Sequence, residues 1–269
     1  MIPTQATATG WVDTHVHIFR RDGTLAADRR YAPHYEALPE HLLDVMTAAG
    51  VARALLVQPS FLGTDNACLL AAIAARPDRF SGIAVVDPEM PLADLAILRR
   101  KGVVGVRLNC IGKPAPDFGG SHRTLAHHLA SLGMALQIQA EGDQWLVMEA
   151  FLSDPPGPVV IDHFGRTAPA QSKNGFDSLL RAARRSDRLW FKFSAPYRVP
   201  DGSAATCSAR ILETVGVHRI LWGSDWPHTQ FEGRWSYAEA LRWLGDWVPD
   251  AGDRNKILLR NPAALFGSA

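Results

Sequence analysis

The chain has 269 residues, of which 47% are hydrophobic and 20% charged, the balance of a globular protein with a sizeable core. Its 28 basic and 27 acidic residues give a net charge of +1, which argues against the strongly basic surface of a protein that binds nucleic acid or anionic membranes. No apolar stretch approaches the roughly 20 residues of a membrane span, and the first ten residues lack the basic and apolar regions of a signal peptide.

The three cysteines, Cys68, Cys110 and Cys207, lie far apart and form no CxxC pair. A disulfide framework or a cysteine zinc site is therefore not expected, and a reducing cytoplasm fits this usage. We predict a cytoplasmic protein that binds neither nucleic acid nor membrane. Whether it is a monomer or a homodimer stays open.

Short apolar runs alternate with longer segments whose apolar residues recur at helical spacing. Eight runs are predicted strands: Trp11–His17, Arg53–Pro59, Gly82–Asp87, Val103–Asn109, Met134–Ala140, Pro158–His163, Leu189–Ala195 and Arg219–Asp225. The predicted helices are Pro39–Ala49, Asp65–Ala75, Ser121–Leu132, Asp143–Leu152, Gly175–Arg185, Ala204–Val215, Ser236–Trp247 and Arg254–Leu259. The segment Phe19–Leu38 has little periodicity and is predicted to be an irregular loop over one end of the sheet.

This alternation of strands and helices predicts a parallel sheet that is covered by helices. Eight units in a chain of this length favour a closed (β/α)8 TIM barrel, which typically needs about 250 residues. Residues 1–269 are therefore expected to form one domain. An open doubly wound sheet is the alternative, although no GxGxxG motif follows the first strand.

Polar side chains end most of the predicted strands, and the carboxyl ends of barrel strands are where active sites lie. His15 and His17 are two residues apart on a strand, so their side chains share one face and suit a metal ion or a pair of donors to one substrate oxygen. His163 and Asp225 end later strands. A buried carboxylate needs a partner, and Asp225 could serve as a general base. The alternatives are a surface histidine pair, a structural His163 and a helix-capping Asp225.

Basic residues near the same strand ends indicate an anionic substrate. Arg107 ends the fourth strand, Lys113 follows it, and Arg198 follows the seventh. A guanidinium group binds carboxylates with two parallel hydrogen bonds, so a substrate with carboxylate groups is predicted. Internal salt bridges to barrel aspartates are the alternative for both arginines.

Three segments resemble the lactonase branch of the amidohydrolase superfamily, and in particular its pyrone-dicarboxylate lactonases. They are Val12–His17, Ile161–Gly165 and Leu221–His228, supported by Val57–Ser60, Gly105–Asn109 and Lys192–Arg198. The resemblance covers essentially the whole chain. It implies a TIM-barrel hydrolase that opens a carboxylate-bearing lactone during the catabolism of aromatic compounds.

The resemblance also implies roles for individual residues. Asp225 would be the general base, and His15, His17 and His163 would surround the lactone carbonyl. The residues implied to contact or line the substrate site are Arg107, Arg198, Lys113, Ser60, Tyr31, Gln139 and His228.

The chain departs from the family pattern at several positions. Strand five supplies Gln137 and Gln139 rather than a histidine ligand, and strand four supplies Arg107, so a binuclear metal centre is not expected. Metal-free catalysis is favoured, although His15, His17, His163 and Asp225 could hold one zinc or another divalent ion. Lys113 replaces an arginine and Gln139 a tyrosine, which favours a related lactone over the pyrone itself.

Two other functions stay open at this point. One is a zinc-dependent sugar-acid lactonase or a decarboxylase of the same superfamily, which metal content would distinguish. The other is a barrel that binds a small molecule without catalysis.

Overall fold

The structure, a computed structural model, describes residues 10–167 and 173–267. The segment in which no signal peptide is predicted lies almost entirely outside these residues. The described chain forms eight parallel strands whose order in the sheet follows the sequence. They are β1 (Trp11–Val16), β2 (Val51–Val57), β3 (Phe80–Ala84), β4 (Val103–Asn109), β5 (Ala135–Gln139), β6 (Val159–Ile161), β7 (Leu189–Phe193) and β8 (Ile220–Trp222). The predicted (β/α)8 TIM barrel is confirmed, and the doubly wound alternative is wrong.

The barrel closes where the end of β8 meets β1. Asp225 N donates to His15 O at 2.9 Å, and His17 N donates to Trp226 O at 2.8 Å. The buried Asp13 strengthens this seam, because its Oδ1 accepts from the backbone N–H groups of His15 and Ser224, each at 3.0 Å. The first and last strand ends are therefore held side by side.

Helices surround the barrel. They are α1 (Pro39–Ala48), α2 (Ala67–Ala75), α3 (Leu92–Arg100), α4 (Gly120–Ser131), α5 (Gln144–Ser153), α6 (Lys173–Arg185), α7 (Ala204–Val215), α8 (Tyr237–Trp247), α9 (Ala251–Asn255) and α10 (Asn261–Phe266). The helix α3, whose only buried residue is Leu95, is not among the predicted helices. The predicted helix Arg254–Leu259 is also wrong in its bounds, since α9 and α10 flank a π-helical turn, Lys256–Arg260. None of the described helices has the length and apolar character needed to cross a bilayer.

The core has two layers. Most buried apolar residues lie between the strands and the helices. A smaller cluster fills the barrel itself and includes Leu55, Val57, Val104, Val160 and Leu221. Because alternate strand residues face the barrel interior, the polar residues that follow this plug along the strands also point inward, towards the carboxyl end.

Candidate active site

The carboxylate of Asp225 is the centre of the site. Its Oδ1 lies 3.6 Å from His15 Nε2, 3.5 Å from His17 Nε2 and 3.8 Å from His163 Nε2. All four residues are buried. The structure therefore brings together the four residues that the sequence analysis selects from three distant segments.

The backbone directs these side chains in two ways. His15 belongs to β1 and His17 follows it directly, and the period of the strand puts both imidazoles on the inner face. His163 and Asp225 lie just past their strands and have positive φ angles of 51° and 61°. Such φ values are costly for residues other than glycine and concentrate at functional sites. They turn both side chains towards the barrel axis.

A glycine makes the seam between His15 and Asp225 possible. A Cβ atom added to Gly223 would overlap the Cβ atom of His15 and lie 3.0 Å from its backbone nitrogen. Only glycine therefore lets the end of β8 approach β1 closely enough to place Asp225 beside the histidines.

Two of the imidazoles around the carboxylate, those of His15 and His163, are neutral rings. Burial lowers the pKa of His15 to about 3 and holds the pKa of His163 well below its usual range. Burial alone would raise the pKa of Asp225, but Arg198, His17 and the other histidines together hold it well below its usual range. At neutral pH the site thus contains an ionised Asp225 carboxylate beside the uncharged rings of His15 and His163.

Two polar side chains bind the other oxygen of this carboxylate. Tyr197 Oη donates to Asp225 Oδ2 at 2.7 Å, and Arg198 Nε donates to the same atom at 2.8 Å. The Nη2 group of Arg198 donates to the backbone oxygen of Thr229 at 2.9 Å. The internal salt bridge considered for Arg198 is thus present, with Asp225 as its partner.

A second charged cluster lies beside the histidines inside the barrel. Arg107 donates to Asp162 Oδ2 from Nε at 3.1 Å and to Gln139 Oε1 from Nη2 at 2.6 Å. Lys192 Nζ donates to Thr14 O and to Gln137 Oε1, each at 2.7 Å. Burial lowers the pKa of Lys192 to about 8, so it remains a cation at neutral pH.

Sequence reasoning missed the importance of this cluster. Asp162 follows the inward-facing Val160 by two residues and points into the barrel. Burial alone would raise the pKa of its carboxyl group, but His15, Lys192 and Arg107 hold it well below its usual range. Lys192 could have been noticed as the one charged residue in the apolar run Leu189–Phe193.

Two adjoining cavities open above this centre. The inner one has a volume of about 20 Å³, enough for about one water molecule, and is lined by His17, His163, Asp225, Arg198 and Gln139 among others. The outer one has a volume of about 780 Å³. Three residues line both cavities: Ser60, Arg107 and Arg30, the last of which sequence reasoning missed.

The remaining selected residues lie at different distances from the centre. Tyr31 lines the inner cavity and donates to Thr229 Oγ1 at 3.1 Å. Lys113 lies farther out, in the outer cavity, where it forms an exposed ion pair with Asp28 at 2.6 Å. His228 does not line the inner cavity, and its Nδ1 instead contacts the hydroxyl of Tyr197 at 3.0 Å.

The donor set fits one divalent metal ion. One ligand atom each from His15, His17 and Asp225 lie within 4.8 Å of one another. Two of the buried atoms, His15 Nε2 and Asp225 Oδ1, have no hydrogen-bond partner in the described chain, and nitrogen and carboxylate ligands suit zinc. A second ion fits poorly, because β4 and β5 contribute Arg107 and two glutamines next to Lys192.

Comparisons with known proteins agree with this architecture. The chain is 29% identical to the 4-sulfomuconolactone hydrolase of Hydrogenophaga intermedia, over 95% of this chain and 88% of that protein. It is 28% identical to the 2-pyrone-4,6-dicarboxylate hydrolase of Comamonas testosteroni, over 96% and 90% of the two chains. A probable 2-pyrone-4,6-dicarboxylic acid hydrolase from Acinetobacter baumannii, solved with citric acid bound, superposes with a TM-score of 0.90 at 33% identity, covering 96% of this chain and 99% of that one.

The profile of the Amidohydrolase family matches residues 12–268, a range that includes all eight strands except Trp11, the first residue of β1, and the four residues at the centre of the site. This chain therefore belongs to the Amidohydrolase family.

Proposed function

We propose that this protein is a hydrolase that opens a lactone bearing carboxylate groups, with Asp225 as the general base. The observation that carries the proposal is the position of Asp225 Oδ1, buried within 3.8 Å of three imidazole nitrogens and below a cavity lined by arginines. A buried ionised carboxylate beside room for a water molecule suits proton abstraction from that water.

The proposed reaction has two proton transfers. Asp225 takes a proton from water, and the resulting hydroxide attacks the lactone carbonyl carbon. Imidazole N–H groups of the histidines donate hydrogen bonds to the tetrahedral oxyanion and stabilise it, as preorganised donors do in other hydrolases. When the ring C–O bond breaks, Asp225 returns the proton to the leaving oxygen, and the product is a hydroxy acid.

The substrate class follows from the cations around the cavities. Arg107, Arg198 and Arg30 line the inner cavity, and Lys113 lies in the outer one. Both hydrolases named above act on anionic lactones by name, and the Acinetobacter structure holds citric acid, a tricarboxylic acid. Because Lys113 and Gln139 depart from the family pattern, we favour a related carboxylated lactone over the pyrone-dicarboxylate, within the breakdown of aromatic compounds.

We favour catalysis without a metal, since β5 offers glutamines where metal-dependent relatives are expected to offer histidine. If one divalent ion binds, His15, His17, His163 and Asp225 would hold it, and it would supply Lewis-acid activation of water. Metal content of the purified protein, and activity before and after chelation, distinguish this proposal from a zinc-dependent lactonase or decarboxylase.

The test is a hydrolysis screen with 2-pyrone-4,6-dicarboxylate, carboxylated muconolactones, sugar-acid lactones and uncharged lactones. Asp225→Asn should lower kcat by at least about 100-fold on the best substrate and leave ligand binding largely intact. Asp246→Asn, on the exposed face of α8, is the matched control. Retention of more than a few per cent of kcat by Asp225→Asn would remove Asp225 from this role. Ligand-induced thermal stabilisation without product would instead favour a binding protein.

We further propose that the chain acts as one domain, in the cytoplasm, as a monomer or homodimer. Size-exclusion chromatography with light scattering tests the oligomeric state, and cell fractionation tests the location.

A further inference from the structure

The Nδ1 atom of His15 has two neighbours that make opposite demands on it. Lys192 Nζ lies 3.3 Å away and can only donate a hydrogen bond. Asp162 Oδ1 also lies 3.3 Å away and, as a carboxylate oxygen, can only accept one. If Lys192 donates to Nδ1, the proton of the neutral ring must be on Nε2. If Asp162 accepts from Nδ1, Nε2 must be bare.

The geometry favours Lys192. Its contact with His15 Nδ1 has the geometry of a hydrogen bond, whereas Asp162 Oδ1 has no hydrogen-bond partner in the described chain despite its short distance to the same atom. Two of the three N–H groups of the Lys192 ammonium are used by Thr14 O and Gln137 Oε1. The third is therefore available to His15.

The surrounding residues hold Lys192 in this arrangement. The side-chain amide nitrogen of Gln137 donates to Asp162 Oδ2 at 3.0 Å. This bond orients the amide so that Gln137 Oε1 faces Lys192. Arg107 Nε donates to the same Oδ2 atom at 3.1 Å. Asp162 thus directs one oxygen to these two donors and balances the charge of Lys192, whose Nζ lies 3.7 Å from Oδ1.

His17 is fixed in the opposite way. Its Nδ1 lies 2.7 Å from the backbone oxygen of Val57, which can only accept, so a His17 ring with a single N–H proton carries it on Nδ1. The Nε2 atom of His17, 3.5 Å from Asp225 Oδ1, then carries a lone pair.

We propose that Lys192 is a positioning residue that keeps the proton of His15 on Nε2, so that His15 and His17 have complementary roles. His15 Nε2–H donates to the oxyanion that forms on the lactone carbonyl, and His17 Nε2 accepts a hydrogen bond from the attacking water beside Asp225. These roles rest on the proposed function, but the proton positions do not. A His15 ring with its proton on Nε2 must first move that proton before the atom can bind a metal ion, so this arrangement weakens metal binding.

The proton position is measured directly by heteronuclear NMR of the protein with isotopically labelled histidine, with His15 assigned by loss of its signals in His15→Gln. We expect the wild-type proton of His15 on Nε2 and that of His17 on Nδ1. Detection of the His15 proton on Nδ1 in the wild-type protein would overturn the proposal. This measurement needs no substrate and no stable Lys192 variant.

Two variants identify which neighbour is responsible. In Lys192→Met, the His15 proton should move to Nδ1, where it can form a hydrogen bond to Asp162 Oδ1. In Asp162→Asn it should remain on Nε2, because Lys192 still donates. Lys113→Met, which removes an exposed lysine in the outer cavity, should leave both histidines unchanged. An unchanged His15 tautomer in folded Lys192→Met would contradict the proposal.

The Lys192→Met variant should also change kcat much more than KM. Lys192→Met should lower kcat by about 100-fold, the usual effect of losing one oxyanion donor, while KM changes by less than about threefold, since Lys192 lines neither cavity. Because the proton of His15 would leave Nε2 in this variant, that atom becomes free to bind zinc. The zinc dissociation constant, measured by titration calorimetry, should therefore fall by at least about tenfold, the usual size of effect when a hydrogen-bond partner of a metal ligand is changed. A wild-type His15 proton on Nε2 in a protein that hydrolyses no lactone would contradict the proposed function alone.

Discussion

Arg198 and Asp225 form a buried ion pair in which Nε of the guanidinium donates to Oδ2 of the carboxylate at 2.8 Å. The cation helps to hold the pKa of Asp225 well below its usual range, against the effect of burial. The proposed base is therefore weak in the resting protein. A substrate carboxylate that draws Arg198 towards itself would raise the basicity of Asp225 when the substrate binds.

Arg198→Met should weaken the binding of the substrate and raise the pKa of Asp225. We expect KM for a carboxylated lactone to rise by at least about 30-fold, which corresponds to about 2 kcal/mol. Without the cation the pKa of Asp225 should rise, so the acid limb of the kcat/KM profile should move to higher pH. Steady-state kinetics across pH measure both effects. Arg210→Met, which breaks a remote pair with Asp177, is the control. An equal loss on an uncharged lactone would argue against an anion-binding role.

Arg30 should matter more to an anionic substrate than Lys113 does. Arg30 lines both cavities, whereas Lys113 lies only in the outer one and is paired with Asp28 while 57% exposed. We expect Arg30→Met to raise KM by about tenfold and Lys113→Met by less than about threefold, since exposed ion pairs contribute little. Kinetics with the same carboxylated lactone compare the two. A larger effect from Lys113→Met would place the substrate carboxylate farther out than we propose.

Gly223→Ala should damage the seam between β1 and β8. The new methyl group would overlap the side chain of His15, and relief requires the strands to separate. We expect a loss of about 1–3 kcal/mol in the free energy of unfolding, as in other overpacked cores, and a large loss of kcat because His15 and Asp225 move apart. Urea denaturation and kinetics measure these effects.

Gly245→Ala is the matched control for this substitution. Gly245 lies within α8, and a Cβ atom there would meet nothing within 4 Å. Alanine in a helix interior should stabilise the protein slightly. If both variants lost similar stability, the close approach at Gly223 would not be the cause.

Glu149 predicts a pH dependence of stability away from the active site. Its carboxylate accepts from Arg181 Nη2 at 2.7 Å and Ser178 Oγ at 2.6 Å, and these bonds between α5 and α6 lower its pKa from 4.5 to about 2. Because the pKa of Glu149 is lower in the folded than in the unfolded protein, its ionised form stabilises the fold. This stabilisation is fully present above the unfolded-state pKa and is lost as the pH falls towards the folded-state pKa.

The stability deficit of Glu149→Gln should therefore be constant near neutral pH and shrink as the pH falls from about 4.5 towards about 2. Urea denaturation of both proteins at a series of pH values measures it. Glu213→Gln, at an exposed position on α7, controls for a general effect of acid. A deficit that grew on acidification would contradict this assignment.

The barrel and the four residues at the centre of the site can be predicted from local patterns in the sequence. Alternating strands and helices are a local property of the chain, and eight repeats in this length leave few alternatives to a closed barrel. The period of a strand put His15 and His17 on one face, and the rule that active sites lie at the carboxyl ends of barrel strands added His163 and Asp225. The helix α3 is not predicted because it buries only Leu95 and its sequence therefore has little apolar periodicity.

The pairing of the buried charges, in contrast, cannot be predicted without the three-dimensional structure. Arg107 contacts Asp162, Arg198 contacts Asp225, and Lys192 lies against His15, although 55, 27 and 177 residues separate the members of these pairs. Sequence patterns specify which face of a strand a side chain is on, but not which side chain of another strand lies within hydrogen-bond distance. That distance depends on barrel closure and the register between strands, and it decides whether each basic group holds the protein together or remains available to a substrate.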